Sequence, residues 1–219
     1  MNNHNISLKM PAFTNPQTFP TFDELPPSSS LSSTSQSSPW FLLAQIKENM
    51  TITKPTLVVR DRSNTDFAVT FDDGDHHGLN GAGGEKLRFR KGHTLVVPSA
   101  TRTDRGEGKK ALVRVPEGKG REVKVVPGSL EKVITLGAEL DGPEDGEDGD
   151  GDGVVRKCAA CGKEGAKGED EEEGGQKLMR CTGCGVVAYC SKECQVQGWN
   201  EKGHKVDCKV LKGIKEIWP

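Results

Sequence analysis

The stretch that decides this chain runs Cys158-Ala159-Ala160-Cys161, then Cys181-Thr182-Gly183-Cys184, Tyr189-Cys190-Ser191-Lys192-Glu193-Cys194-Gln195, and last His204-Lys205-Val206-Asp207-Cys208. All seven cysteines fall here, and with His204 they make eight soft or borderline ligands in four pairs, the number that closes two tetrahedral sites. A Cys-x2-Cys pair spans a tight turn whose backbone amides point at the sulfurs. Gly162 and Gly185 follow the second cysteine of each such pair, where a positive φ lets the chain leave the turn. Cys190/Cys194 and His204/Cys208 are i, i+4 pairs, expected to stack on one face of a helical turn. Spacing by itself leaves open which pairs share a centre.

Metal is favoured over disulfides by what surrounds the cluster. The first thirty residues carry no basic start followed by an apolar stretch, so no secretory signal is expected. No run of about 18 apolar residues occurs, which argues against a transmembrane helix. An intracellular protein, nuclear or cytoplasmic, is the expectation, and thiols stay reduced there. Thiolates with one imidazole suit zinc; an iron–sulfur cluster would leave the histidine and several cysteines without a role. Four protein ligands per ion leave no position for water, so the expected zincs are structural and no catalytic residue is assigned. Arg156, Lys157, Arg180, Lys192 and Lys205 stand beside ligands and can offset thiolate charge or simply be solvated. The apolar residues available to this segment are chiefly Leu178, Val186, Val187, Tyr189, Val196, Trp199 and Val206, too few for a core without metal.

Outward from the cluster, the acidic stretch Glu169–Glu173 reads as a loop inserted between the first two pairs. Residues 139–153 are acidic and Gly-rich with no basic residue, the signature of an extended linker and a domain boundary. Within it, Asp148, Asp150, Asp152 and Gly153 imitate the start of a calcium loop, but its twelfth position is Ala159 instead of the bidentate Glu, which excludes that reading. The finger and its C-terminal helix occupy 154–219.

Residues 40–138 read as a small β-rich domain. Short β-branched runs recur at Leu57–Arg60, Phe67–Phe71, Thr94–Val97, Ala111–Val115 and Glu122–Val126, each bounded by turn formers such as Gly74, Gly92, Pro98, Gly118 and Pro127. Strands that short suggest a small barrel or sandwich. Ser129 is the expected N-cap of a brief helix, Leu130–Leu136, stopped by Gly137. The polar loop from Asp72 to Gly84 is expected to project as a mobile excursion. Residues 1–39, rich in Pro and Ser, read as a disordered tail whose patch Phe19, Phe22, Leu25, Pro26, Pro27 is a spacer or a linear motif. The fold class is thus mostly β plus a zinc-stapled α+β finger. Only 33% of the 219 residues are hydrophobic and the net charge is −2, so no global field points to nucleic acid or anionic membrane.

The segment from Tyr189 to Gln195, followed by Trp199, His204 and Cys208, resembles the MYND-type zinc finger. The match covers about a quarter of the chain and includes every ligand position. Two departures are the acidic insert before Cys181 and a Trp199–His204 interval about two residues longer than usual. The resemblance implies two zinc ions bound in an interleaved way: Cys158, Cys161, Cys190 and Cys194 on one, Cys181, Cys184, His204 and Cys208 on the other. It also implies a protein-interaction module taking up short proline-containing peptides, with Thr182, Gln195 and Trp199 at the matching positions. An indole offers a flat apolar platform to a proline ring, and Gln can bond an extended backbone. The competing role for Trp199 is plain core. The middle region resembles the β domain, OB-like in character, that precedes MYND fingers in some fungal proteins. The alternative function is therefore single-stranded nucleic-acid binding through Phe67, Phe71, Phe89, Arg88, Arg90 and Lys91. SET-domain methyltransferases also carry such fingers, but nothing here resembles their methyl-donor segments. A non-enzymatic adaptor, with a place in transcriptional or chromatin regulation, is the expectation.

Overall fold

A computed structural model describes residues 12–30, 39–140, 157–165 and 177–217. The chain divides into two compact units, residues 11–140 and a second that holds the cysteines. The calcium-like run, the acidic linker beyond Leu140 and the stretch Glu169–Glu173 lie outside the described residues.

The first unit is a seven-stranded sheet in the order β5-β6-β3-β2-β1-β4-β7. Its strands are β1 (Phe41–Asn49), β2 (Thr56–Arg60), β3 (Asp66–Phe71), β4 (Thr94–Pro98), β5 (Arg102–Thr103), β6 (Leu112–Val115) and β7 (Lys124–Val126). Neighbours pair antiparallel except β3 and β6, which run parallel from Ala68↔Leu112 to Phe71↔Val115. Alternate residues of five strands (Leu42, Ala44 and Ile46; Leu57 and Val59; Phe67, Val69 and Phe71; Leu95 and Val97; Val113 and Val115) meet in one core. A sheet reaches that arrangement by curling around its own inner face. Every expected strand is present.

β1 itself escapes a reading of local pattern. Phe41-Leu42-Leu43-Ala44-Gln45-Ile46-Lys47-Glu48 is rich in good helix formers, and its first four residues are buried on both faces. The outer face is covered by the helix α1 (Leu130–Leu140), whose Leu130, Val133 and Leu136 are buried, and by Phe19, whose ring lies 6.1 Å from that of Phe41. Tertiary burial overrides helix propensity here, as it does wherever both faces of a strand find apolar partners.

Three expectations need correction. The tail reading of 1–39 fails over residues 12–30, which form a strap packed on the sheet. Phe13, Phe19, Phe22 and Leu25 are buried, and Phe22 stacks on Phe67 at 4.2 Å. Buried Asp61 anchors this strap: its Oδ2 accepts from the Phe22 amide at 2.7 Å, while Oδ1 accepts from the Ser63 amide, the Ser63 hydroxyl and the Thr65 amide. Arg62 Nη1 donates to the carbonyls of Phe13 (2.9 Å) and Phe19 (2.6 Å). A strap held by side chains has no period to read, so composition alone suggested disorder.

Second, α1 does not stop at Gly137. It continues to Leu140, and buried Gly137 is the notch into which the Phe13 ring packs; a Cβ there would collide with that ring. The Ser129 cap is as expected, with its hydroxyl accepting from the Lys132 amide at 3.2 Å.

Third, the Asp72–Gly84 loop is not a free excursion. Leu79 is buried in the core, and the Asp73 carboxylate accepts from the amides of Gly118 (2.9 Å) and Gly120 (2.8 Å). The aromatics offered for base stacking fare likewise: Phe67 and Phe71 are buried, and Phe89 packs on Phe71 with centroids 5.6 Å apart.

Candidate metal centres and peptide surface

In the second unit a short hairpin, β8 (Met179–Arg180) with β9 (Ala188–Tyr189), brackets the knuckle Cys181–Cys184. The Cys181 amide donates to Val187 O and the Gly185 amide to Cys181 O, both at 2.8 Å, with Gly185 at φ 65°. The first knuckle closes in the same manner: Gly162, at φ 74°, donates to Cys158 O at 2.9 Å. Ala159 then donates to Ala188 O at 2.9 Å, joining the first knuckle to the hairpin.

Two helices complete the unit. α2 (Lys192–Asn200) is capped by Ser191, whose hydroxyl accepts from the Cys194 amide at 3.2 Å. Cys190 therefore lies before the helix and only Cys194 within it, which corrects the expected helical i, i+4 pair. α3 (His204–Lys215) does carry both His204 and Cys208. The long Trp199–His204 interval is absorbed by the end of α2, where the Glu201 amide bonds Gln197 O, and by Gly203 in the left-handed region at φ 79°.

These elements bring Cys158, Cys161, Cys190 and Cys194 together, and separately Cys181, Cys184, His204 and Cys208. In each group the ligand atoms lie within 4.8 Å of one another. Specific separations are 3.6 Å for Cys161 Sγ–Cys190 Sγ, 3.5 Å for Cys190–Cys194, 3.9 Å for Cys181–Cys208, 3.8 Å for Cys184 Sγ–His204 Nε2 and 3.2 Å for His204 Nε2–Cys181 Sγ. Sulfurs about 2.3 Å from a zinc stand about 3.8 Å apart along a tetrahedron's edge. Disulfide sulfurs would stand at about 2.05 Å, so all seven cysteines are free thiols arranged for metal. The residues fit two zinc ions, one with four thiolates and one with three thiolates and an imidazole. The pairing alternates along the chain, first with third and second with fourth, so neither centre can close without the other's elements in place.

The electrostatics of the two groups match that role. Burial pushes the Cys158 and Cys181 thiols up, but amide donors outweigh it and hold both down at about 6; the donors are Cys161, Cys190 and Ala160 for Cys158, and Cys184 and Gly183, with the His204 ring, for Cys181. Cys190 is pushed up to about 12 by its contacts with Cys194 and Cys161, and Cys208 to about 12 by burial and by the charge of Cys181. Four thiolates thus repel one another, and a divalent cation is the species that lets them all ionise. The Val186 amide also donates to Cys184 Sγ at 3.4 Å, shedding some of that charge into the backbone.

The finger's core differs from the expected set. Tyr189 is fully buried, whereas Val196, Trp199 and Val206 are 52%, 38% and 67% exposed. The apolar core is instead Ala188, Tyr189, Val210, Leu211, Ile214 and Ile217, largely the inner stripe of α3. That stripe, at i, i+1, i+4 and i+7, was open to a periodicity reading that the cysteine pattern overshadowed. Tyr189 packs under Gly198, and its ring meets His204 edge-on at 6.0 Å. Of the residues matched to a peptide site, Thr182 is exposed in the second knuckle, and Gln195 and Trp199 are exposed one turn apart on α2.

The MYND finger family profile matches residues 158–208. The same region is 48% identical over 46 residues to Homo sapiens histone-lysine N-methyltransferase SMYD3, covering 21% of this chain and 10% of that protein. It is 33% identical over 63 residues to SET domain and MYND-type zinc finger protein 6 of Schizosaccharomyces pombe, covering 29% and 11% of the two chains. An F-box protein of Arabidopsis thaliana is 42% identical over 65 residues, covering 29% and 15%. The chain thus spans only about a tenth to a seventh of the length of these relatives. No helix among the described residues is long and apolar enough to cross a membrane. Ligand set, alternating geometry and family profile agree that residues 158–208 are a MYND-type zinc finger, a zinc-binding module for protein–protein interaction.

Proposed function

We propose that this chain is a non-enzymatic adaptor whose finger docks extended, proline-containing segments of partner proteins. Thr182, Gln195 and Trp199 are the residues assigned to that contact. The observation that carries the reading is the exposure of Trp199, 38%, in a unit otherwise short of apolar side chains. An indole kept at the surface beside exposed Val196 leaves apolar area uncovered that a proline ring can cover, and Gln195 one turn earlier supplies amide groups for a peptide backbone. The plain-core role for Trp199 is less well supported at that exposure.

One of these relatives is named as a histone-lysine N-methyltransferase and another for a SET domain, but the match to each covers only about a tenth of its length. We therefore assign the chain no methyl transfer and place it in transcriptional or chromatin regulation through whatever its finger recruits. The test is binding of proline-containing peptides to the full chain and to Trp199→Ala, with zinc measured in both. Loss of binding at unchanged zinc content supports the docking surface; unchanged binding removes it. Methyl transfer to histones by the full chain would overturn the adaptor reading independently.

A further inference from the structure

Far along the sequence from the finger, the β unit carries a second kind of ligand group. Asp72-Asp73-Gly74-Asp75-His76-His77-Gly78 leaves β3 in a tight turn, and Asp75, His76 and His77 place one ligand atom each within 4.8 Å of the others. Adjacent side chains in extended chain point to opposite faces. Here they do not, because Asp75 and Gly78 exchange backbone bonds (Gly78 N to Asp75 O at 2.9 Å, Asp75 N to Gly78 O at 3.2 Å) and fold the turn back on itself. The two imidazoles end 3.8 Å apart, centroid to centroid.

The turn is pinned on both sides, which separates it from a histidine pair on a loose loop. Before it, the Asp72 amide bonds Val115 O at 2.9 Å and Asp73 is tied to Gly118 and Gly120. After it, Leu79 is buried and its carbonyl accepts from the Leu87 amide at 2.8 Å. Gly74 at φ 80° could carry no side chain, since a Cβ would collide with Gly78 O. Asp75 Oδ1 is occupied by the His77 amide at 2.7 Å, while Oδ2 takes no hydrogen bond from the described residues. A cavity of about 570 Å³, lined among others by Asp73, Asp75, His77 and Asn80, adjoins the group and has room for the waters a partly coordinated ion keeps.

We propose that Asp75, His76 and His77 form a third metal site, exchangeable and open, for a divalent transition ion such as zinc, nickel or copper. Two imidazoles with one carboxylate suit those ions over calcium or magnesium, which prefer all-oxygen shells. Three protein ligands leave positions for water, in contrast to the two closed centres of the finger.

The test uses the full chain already holding its two finger zincs. Equilibrium dialysis against micromolar zinc should load one further equivalent per chain, which metal-free buffer then removes while the finger zincs stay. The double variant His76→Ala/His77→Ala should not take up this equivalent, Asp75→Asn should weaken it about tenfold or more, and His93→Ala should leave it unchanged. Circular dichroism of each variant checks the fold. Added nickel should broaden the His76 and His77 imidazole NMR signals ahead of the His93 signal. Absence of the extra equivalent, or equal uptake by the double variant, overturns the site.

Discussion

The indole of Trp199 meets the imidazole of His204 edge-on, with centroids 5.7 Å apart and planes at 69°, so an exposed residue of α2 leans on a zinc ligand of α3. Tyr189 approaches the same imidazole from the hairpin at 6.0 Å. The ligand is thereby oriented by one buried ring and one surface ring, and the proposed docking residue is built onto the metal scaffold.

For Trp199→Ala, that geometry sets a limit on the damage. An aromatic edge contact contributes about 0.5–1.5 kcal/mol, and Tyr189 remains to hold His204. The variant is expected to retain two zincs and to lose no more than that in chemical denaturation of the finger. A larger loss, or a lost zinc, would show Trp199 to be structural and its binding phenotype to be indirect.

Gly198→Ala should be worse than Trp199→Ala despite being the smaller change. A helix interior ordinarily gains about 1 kcal/mol from that substitution. Here the new Cβ would stand 2.7 Å from Tyr189 Oη and 2.8 Å from Cζ, and Tyr189 is fully buried with nowhere to retreat. Overpacking of this kind costs about 1–3 kcal/mol, so zinc should be released at lower chelator concentration than from the native chain. Unchanged or improved zinc retention would contradict the packing.

Chelation should separate the two units. The finger's apolar core is little more than Tyr189 and one stripe of α3, so its folding free energy comes from metal. Excess chelator is expected to remove the circular dichroism of α2 and α3, while the strand signal and the near-ultraviolet signal of Trp40 persist, since the β unit has its own core. Retention of the helical signal without metal would refute this.

Asp61→Ala should detach the strap. Its carboxylate takes two bonds from Ser63 and one each from Thr65 and the Phe22 amide; all four donors lose their acceptor at once. Leaving the amide of buried Phe22 unpaired puts the cost at about 2–3 kcal/mol, read from the urea midpoint. Limited proteolysis should then cut within residues 12–30, and an unaltered cleavage pattern would count against the anchoring role.

Acid should loosen the same strap. The Glu24 carboxyl lies below its ordinary range because Oε2 accepts from the Thr21 amide (2.7 Å) and the Thr21 hydroxyl (2.8 Å), with Arg62 adding its charge. A folded value below the unfolded one means that the stabilisation is complete above the ordinary carboxylate range, about 4.3, and is lost as pH falls through the folded value. Glu24→Gln should flatten the acid limb of a stability–pH curve; an identical limb would remove Glu24 from the account.

What could be read without coordinates was whatever depends on residue type and local spacing. Ligand identity is of that kind: thiolates and an imidazole in four close pairs announce two zincs before any fold is known. Five strands were legible because β-branched runs between turn residues carry their own signal. Long-range partnerships decided the rest. β1 is a strand only because α1 and Phe19 cover its second face, and residues 12–30 are ordered only because Asp61 and Arg62 reach back to them. The turn that gathers Asp75, His76 and His77 exists because Leu79 and Asp73 are anchored elsewhere. Spacing counts ligands, but which of them share an ion is a distance in space, and only the folded chain sets it.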